Sequence, residues 1–421
     1  MTKRISVWVL IGAIIVTSAV TFMTTLLFGS SLVSASETAV EQTEALEDAQ
    51  RKLTANEITS KLAAKIRELV IYYDRYYVGE PDVDKLVEGV AEGLVAYSGD
   101  KYGDYHPKEE YEAFNTKYSG EFAGIGVSVT YDAEHGAIEV LGVIDGGSAL
   151  DAGILPNDLI IAVNGEAVAY LGYNQAVENI RGENGSTLTL TIARGENYSQ
   201  RLEITLERRM ITSQSVSYEE ISIEEQSDPI GYIHVKEFTN TTYEQFRDAI
   251  SESITNNVYG LIIDLRNNGG GTFNSVVSML DLILGEGPIV RVQYKNGEET
   301  VYRSDANQLS RRMPIIVLVN GNTASASELF TSSLRDYGRA IVVGENTYGK
   351  GTVQTMIRLS DGSGLRLSTS MYSPPFSDNF EGVGIAPDIE VSLAPEYKNA
   401  NISTLAHEND AQLQAALQLY K

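Results

Sequence analysis

Three short stretches carry the residue types that covalent chemistry needs. Asn320-Gly321-Asn322-Thr323-Ala324-Ser325-Ala326-Ser327-Glu328 sets a serine where a helix should begin. Glu345-Asn346-Thr347-Tyr348-Gly349-Lys350-Gly351 holds a lone lysine, and Arg266-Asn267-Asn268-Gly269-Gly270-Gly271 is a glycine-rich turn. A serine at a helix N-terminus sits among free N–H groups, where the helix dipole favours negative charge. It still needs a base. The chain has no cysteine and four histidines, His106, His135, His234 and His407, none of them in these stretches. Lys350 remains, in a Ser–Lys arrangement. An amine accepts a proton only when neutral, so its pKa must fall from about 10.4 to near 7, a shift worth about 4 kcal/mol that desolvation can supply. Backbone amides of the Gly269–Gly271 turn, with that of Ala326, can form an oxyanion hole.

Each stretch also has a plainer reading. Ser325 to Glu328 is a capping box, which needs no catalysis. The glycines can be a turn, and Lys350 a solvated lysine. Gly344-x4-Gly349-Lys350 nearly matches a phosphate-binding loop, but Gly351 stands where Ser or Thr should hold magnesium. The strand-like run Thr352–Ile357 also replaces the helix that should follow.

Buried strands must position these loops. Tyr259–Leu265, Pro314–Val319 and Arg339–Gly344 are short apolar runs of the kind that fill a parallel sheet. A helix through about Leu284 follows the first, and one to about Asp336 follows the second. Right-handed crossovers then gather all three loops at one edge of the sheet, where ligand sites of open α/β folds collect.

Upstream the pattern is different. Residues 127–131 (VSVTY), Ala137–Val143, Leu159–Val163, Ser186–Ala193 and Gln200–Leu206 read as strands, with helices at Ser148–Ala152 and Gly172–Ile180. Asn164-Gly165 is a strong hairpin signal. The string GSALDAGILPNDLIIAVNGEAV (147–168) resembles a PDZ domain over about 90 residues. The resemblance implies capture of a C-terminal peptide at a sheet edge, its carboxylate resting on backbone N–H groups. Phe122-Ala123-Gly124-Ile125-Gly126 matches the carboxylate-binding loop, and bare glycine backbone suits close approach to a carboxylate.

Behind that module, DLRNNGGG, NGNTASASELF, GENTYGKGTVQ and GVGIAPDIEV (382–391) resemble the carboxyl-terminal processing peptidases of the tail-specific protease group over residues 58–393. That family implies a crotonase-like α/β core with Ser325 as nucleophile, Lys350 as general base and Gln354 orienting the lysine. It also implies oxyanion donors from Gly270 or Gly271 with Ala326. Ser327 is the runner-up nucleophile. Four residues of straight strand span about 13 Å, so Gly351 must bend the chain for Gln354 to reach Lys350. Gly269 departs from the family, which often has proline there. Arg181 matches an arginine that can link peptide occupancy to core activity. No cofactor and no metal are implied.

The N-terminus sets the compartment. No charge lies between Arg4 and Glu37, and Ile5–Phe28 is long and apolar enough to span a bilayer. Lys3 and Arg4 before it leave the bulk of the chain extracytoplasmic. The alternative is a secreted protein cleaved near Ala35. Residues 58–97 read as two amphipathic helices, with a tyrosine-rich join at Tyr72, Tyr73, Tyr76 and Tyr77. With Leu413, Ala416, Leu417 and Tyr420 of the final stretch they form a candidate homodimer contact, monomer packing being the other reading.

Composition narrows the classes. A 421-residue chain with 43% hydrophobic and 21% charged residues is globular and multidomain. Its formal charge of −25 argues against nucleic acid. The expected architecture is α/β and multidomain. It comprises a cytoplasmic tip and transmembrane anchor (1–36), a spacer and helical region (37–115), a β-rich PDZ domain (116–209), a Ser/Lys protease core (210–395) and a C-terminal helical segment (396–421). The expected function is a serine endopeptidase that recognises the C-termini of extracytoplasmic polypeptides. It would cleave through an acyl-enzyme, in proteolysis or signal transduction. A tethered PDZ binding protein with a silent core is the alternative, and export argues against an acyl-CoA enzyme.

Overall fold

The computed structural model describes residues 55–421, except 225, 306, 307, 310–312 and 399. The expected membrane span and most of the spacer lie outside the described residues. Among those described, no helix is long and apolar enough to cross a membrane. The chain divides into two units at Val87. Residues 55–76 (α1) are helical in the first, and Ile58, Leu62 and Leu69 on that helix are exposed. Helix α2 (Val83–Ala96) runs across the division.

The second unit opens with β1 (Asp104–His106), α3 (Lys108–Ser119) and β2 (Glu121–Gly124). Gly120 ends α3 at φ 75°, and its N–H donates to the Lys117 carbonyl, the left-handed stop that glycine provides. A β-rich module follows. It comprises β3 (Val127–Asp132), β4 (Ala137–Val143), α4 (Ser148–Asp151), β5 (Leu159–Val163), β6 (Glu166–Ala167), α5 (Val168–Leu171), α6 (Tyr173–Ile180), β7 (Thr187–Arg194) and β8 (Gln200–Glu207). The strands order as β3-β4-β5-β7-β8, with β6 beside β5. Asn164 (φ 51°) and Gly165 (φ 83°) make the tight β5–β6 hairpin, pairing Val163 with Glu166. Ile138, Val140, Ile160, Leu190 and Ile192 fill the module's own core. β9 (Arg209–Thr212) pairs back with β2.

The remainder is an α/β core. β10 (Val216–Ile221), β11 (Ile230–Val235), α7 (Thr242–Thr255), β12 (Gly260–Asp264), α8 (Phe273–Ile283), β13 (Gly287–Tyr294), β14 (Glu299–Ser304), β15 (Ile315–Val319), α9 (Ala326–Asp336), β16 (Ala340–Gly344), β17 (Thr352–Arg358), β18 (Gly364–Ser373), β19 (Ile389–Glu390) and α10 (Ala411–Gln418) succeed one another. The central sheet runs β10-β11-β12-β15-β16-β19, parallel from β11 onward. Every residue of β12 and β15 is buried, because the sheet is covered on both faces. Leu261, Ile263, Val317 and Val342 point into a cluster with Phe246, Leu280 and Phe330 from the crossover helices. Ile262, Ile316, Leu318 and Val343 point the other way, onto Leu413, Ala416, Leu417 and Tyr420. Each such aliphatic side chain contributes about 1.5–3 kcal/mol.

That second layer corrects one expectation. The final amphipathic stretch covers the protein's own sheet, with Tyr420 only 4% exposed and its hydroxyl donating to the Leu261 carbonyl (2.6 Å). Leu413, Ala416, Leu417 and Tyr420 serve monomer packing, the other reading the sequence allowed. A second sheet was not foreseen, although its β17 matches the strand-like run Thr352–Ile357: β18 pairs with β1, β13 and β17, and β13 with β14.

Candidate active site

The three loops leave the carboxyl ends of adjacent parallel strands, Asp264 of β12, Val319 of β15 and Gly344 of β16. They meet at a cavity of 230 Å³ lined by Gly269, Gly271, Ser325, Ala326, Lys350 and Gln354, among others. Most of the residues singled out in the three loops are therefore brought together.

Ser325 immediately precedes α9 with φ 58° and ψ −119°. A side-chain-bearing residue there carries strain of about 1–3 kcal/mol, so the surroundings must hold it. Glu328, one turn on and fully buried, does so. Its Oε2 accepts from the Ser325 and Lys350 N–H groups, both at 2.8 Å. Its Oε1 accepts from the Gly349 N–H (2.6 Å) and the Thr347 hydroxyl (2.5 Å). One carboxylate thus ties the serine loop to the lysine loop. This is more than a helix cap, although the capping pattern in the sequence was its only signal.

Ser327, the runner-up nucleophile, is also fully buried, and its hydroxyl donates to the Asn268 carbonyl at 3.0 Å. It is a brace between two loops. Asn268 further accepts from the Ala324 N–H (3.0 Å). Its side-chain oxygen takes the Gly270 N–H (2.9 Å). That bond corrects the expectation for Gly270, whose amide is engaged. Among the described residues, the N–H groups of Gly271 and Ala326 donate to no other backbone group outside the regular elements. Both residues line the cavity. Gly270 serves by lacking a side chain: at φ 101°, a Cβ would come within 2.8 Å of Ser325 Cβ.

Lys350 is partly buried. Its pKa lies below the ordinary lysine value, first through burial and next through the nearby Arg366 charge, while Glu381, Asp100 and Glu328 pull the other way. Its backbone carbonyl accepts from the Tyr372 hydroxyl at 2.9 Å, and that hydroxyl also lies 3.4 Å from Ser325 Oγ. Burial pushes the Tyr372 pKa up, so the group remains a donor. Gln354 shares the cavity, but its carboxamide N–H donates to Thr352 Oγ1 (2.9 Å) and more weakly to Ser368 Oγ (3.3 Å). β17 shifts register between Val353 and Gln354, and the carboxamide bonds described run to Thr352 and Ser368 where an approach to Lys350 was expected.

The sequence reading missed several contributors. Tyr372, on β18, is one. Phe114 and Tyr118 of α3 line the same cavity as Ser325, so the helical region ahead of the PDZ module helps build the site. The GVGIAPDIEV stretch buttresses the lysine loop, where Ile385 N–H donates to Thr347 Oγ1 (2.7 Å) and Gly382 N–H to the Gly349 carbonyl (2.9 Å). A Cβ on Gly349 (φ 88°) would lie 2.9 Å from Gly384 N.

The residues expected to bind peptide lie apart from this cavity. Phe122, Ala123 and Gly124 belong to β2, paired with β9. Ile125 is buried, and Gly126 turns at φ 80° against Gly147. Arg181 caps the end of α6 with its guanidinium 5.4 Å from the Phe122 ring centroid and 3.3 Å from Glu178. With Phe122 and Ala123 it lines a second cavity of 1020 Å³, which does not include Ser325.

The comparisons agree with this architecture. Residues 229–391 match the model of peptidase family S41, and residues 139–194 match a PDZ domain. The carboxy-terminal-processing protease of Bartonella bacilliformis is 34% identical over 364 residues, covering 84% of this chain and 81% of the relative. A probable CtpA-like serine protease of Staphylococcus aureus is 29% identical over 396 residues, or 94% and 73% of the two chains. In fold, the chain resembles a putative S41 protease from Bacteroides fragilis (TM-score 0.50, 18% identity), covering 82% of this chain and 92% of that one. A PDZ module ahead of a core of this family, with a relative this similar along most of both chains, makes this protein a member of the S41 family of carboxy-terminal-processing serine peptidases.

Proposed function

We propose that this serine peptidase cleaves polypeptides through an acyl-enzyme on Ser325, with Lys350 as general base. The observation that carries the reading is the single cavity lined by Ser325, Ala326, Gly271 and Lys350. Ser325 Oγ attacks the scissile carbonyl carbon as its proton passes to neutral Lys350 Nζ. The oxyanion is met by the Gly271 and Ala326 N–H groups. The resulting ammonium returns the proton to the leaving amine. Water, deprotonated by the same amine, then releases the acyl group and regenerates the serine. Gln354 lines the same cavity and acts on the lysine loop through Thr352, two residues beyond Lys350.

Substrates are polypeptides with accessible C-termini, captured at Phe122–Gly126 and cut nearby. Arg181, stacked on Phe122, relays occupancy to the core. The peptidase works outside the cytoplasm, held by the Ile5–Phe28 span or released by cleavage near Ala35. The exposed apolar residues of the two helices within 58–97 remain a candidate homodimer contact.

The deciding experiment compares residues 37–421 with their Ser325→Ala and Lys350→Ala variants on an unfolded protein. Turnover by the parent alone, at least about 10⁴-fold above either variant, is expected; equal turnover by all three removes the dyad. Arg181→Ala should slow cleavage of a peptide with a free C-terminus, and unchanged cleavage removes the relay.

A further inference from the structure

Tyr102 stands in the loop between α2 and β1, and nothing in its sequence context marks it for chemistry. The Lys350 Nζ nevertheless lies 4.8 Å from the centroid of its ring. The ring is held firmly. Its hydroxyl donates to Glu381 Oε1 (2.9 Å) and accepts from Lys101 Nζ (3.0 Å). Its own N–H donates to Asp100 Oδ1 (3.0 Å), and Asp100 in turn accepts from the Ser368 N–H (2.7 Å) and hydroxyl (2.8 Å) on β18. Glu381 closes the circuit by accepting the Gly351 N–H at 2.7 Å, next to Lys350 in the chain. Tyr102 does not line the cavity that holds Ser325. It meets the lysine from behind and not the substrate.

We propose that the Tyr102 ring is the resting seat of the Lys350 ammonium, so that Tyr102 positions the amine and governs how readily it gives up its proton. This rests on Lys350 being the base. The negative face of an aromatic ring attracts a cation and has no such attraction for a neutral amine. The seat therefore favours the protonated form, and the amine leaves it as it becomes a base. Other charged or titratable groups around Lys350 are Arg366 on β18, Glu328 on α9, Glu381 after β18, Asp100 and Lys101 beside Tyr102, and the Tyr372 hydroxyl. Arg366 drives the proton off and the acids retain it, so the ring adds to the acids' side of that balance.

The test titrates Lys350 directly in the full-length protein, by pH-dependent acetylation with acetic anhydride read by mass spectrometry. It runs beside the pH profile of kcat/KM on a peptide. Tyr102→Leu keeps apolar bulk but loses the ring face, and should lower the Lys350 midpoint by about 0.5–1.5 pH units. The acid limb of kcat/KM should move down with it. Tyr102→Phe keeps the face while losing the Glu381 bond, and should leave the midpoint within about 0.3 units of the parent. Tyr102→Trp, with the strongest face, should raise it. An unchanged or raised midpoint in Tyr102→Leu overturns the proposal, as does an equal fall in Tyr102→Leu and Tyr102→Phe. If Tyr102→Leu does not fold, a midpoint in Tyr102→Trp at or below the parent's overturns it. Labelling reports the lysine even where it is not the base. Failure of the dyad appears separately, as turnover that survives Lys350→Ala.

Discussion

Glu328 and Asp264 are both fully buried carboxylates near the carboxyl edge of the same sheet, yet they are satisfied in opposite ways. Asp264 faces the Arg266 guanidinium, which reaches on to Asp410 (2.7 and 2.8 Å) and Gln412 (3.0 Å). Burial opposes charge on both partners, and their mutual attraction wins, so the Asp264 pKa falls and that of Arg266 rises. Among the described residues no cation forms an ion pair with Glu328. Four neutral donors, three of them backbone N–H groups, fill its oxygens. The first arrangement pins the C-terminal segment to the base of the glycine loop. The second aligns the serine and lysine loops without placing a further positive charge beside Lys350. A buried ion pair fastens, whereas a carboxylate bound by amides sets geometry.

Substitution can break this contrast. Arg266→Met leaves two buried carboxylates without their cation, and should cost about 3–5 kcal/mol of stability, read as a lowered urea midpoint. Glu328→Gln keeps the shape but turns an NH2 group toward N–H donors. Its main effect should be on kcat, a loss of about 10²-fold from misplaced loops, with a smaller fall in stability of about 1–3 kcal/mol. If the two variants lost stability equally and Glu328→Gln kept full turnover, the distinction would collapse. The smallest effect sharpens it. Ser325→Gly relieves the positive φ that the clasp maintains, and should be more stable than Ser325→Ala by about 1 kcal/mol in thermal unfolding, while both are inactive.

Much of the frame was legible. The buried runs of β12, β15 and β16, the Asn164-Gly165 hairpin and the strand–helix order of the PDZ module all depend on local periodicity and turn chemistry, which a sequence displays directly. The candidate site was legible in part. Ser325, Lys350 and Ala326 stand next to strand and helix ends, where topology itself brings them to one edge. Ser327, only two residues from Ser325, looked like a rival until its hydroxyl was found bonded to Asn268. Gly270 and Gly271 were equivalent until Asn268 took one of the two amides. Tyr102, Phe114 and Tyr372 carried no signal, since each reaches the site by long-range pairing on β18 or by packing of α3 and the loop before β1.

The order of residues along the chain determined that a serine, a lysine and a glycine turn would follow three neighbouring parallel strands, and that a PDZ module would precede them. Those properties follow from apolar periodicity and strand-to-loop connectivity, which are local. Only the folded molecule decided which amides remain free, which serine is strained and open to the cavity, and what lies behind the lysine. Those depend on hydrogen bonds and burial between residues as distant as Tyr102 and Glu381. No spacing rule encodes such partners, because desolvation and orientation exist only once the chain has packed.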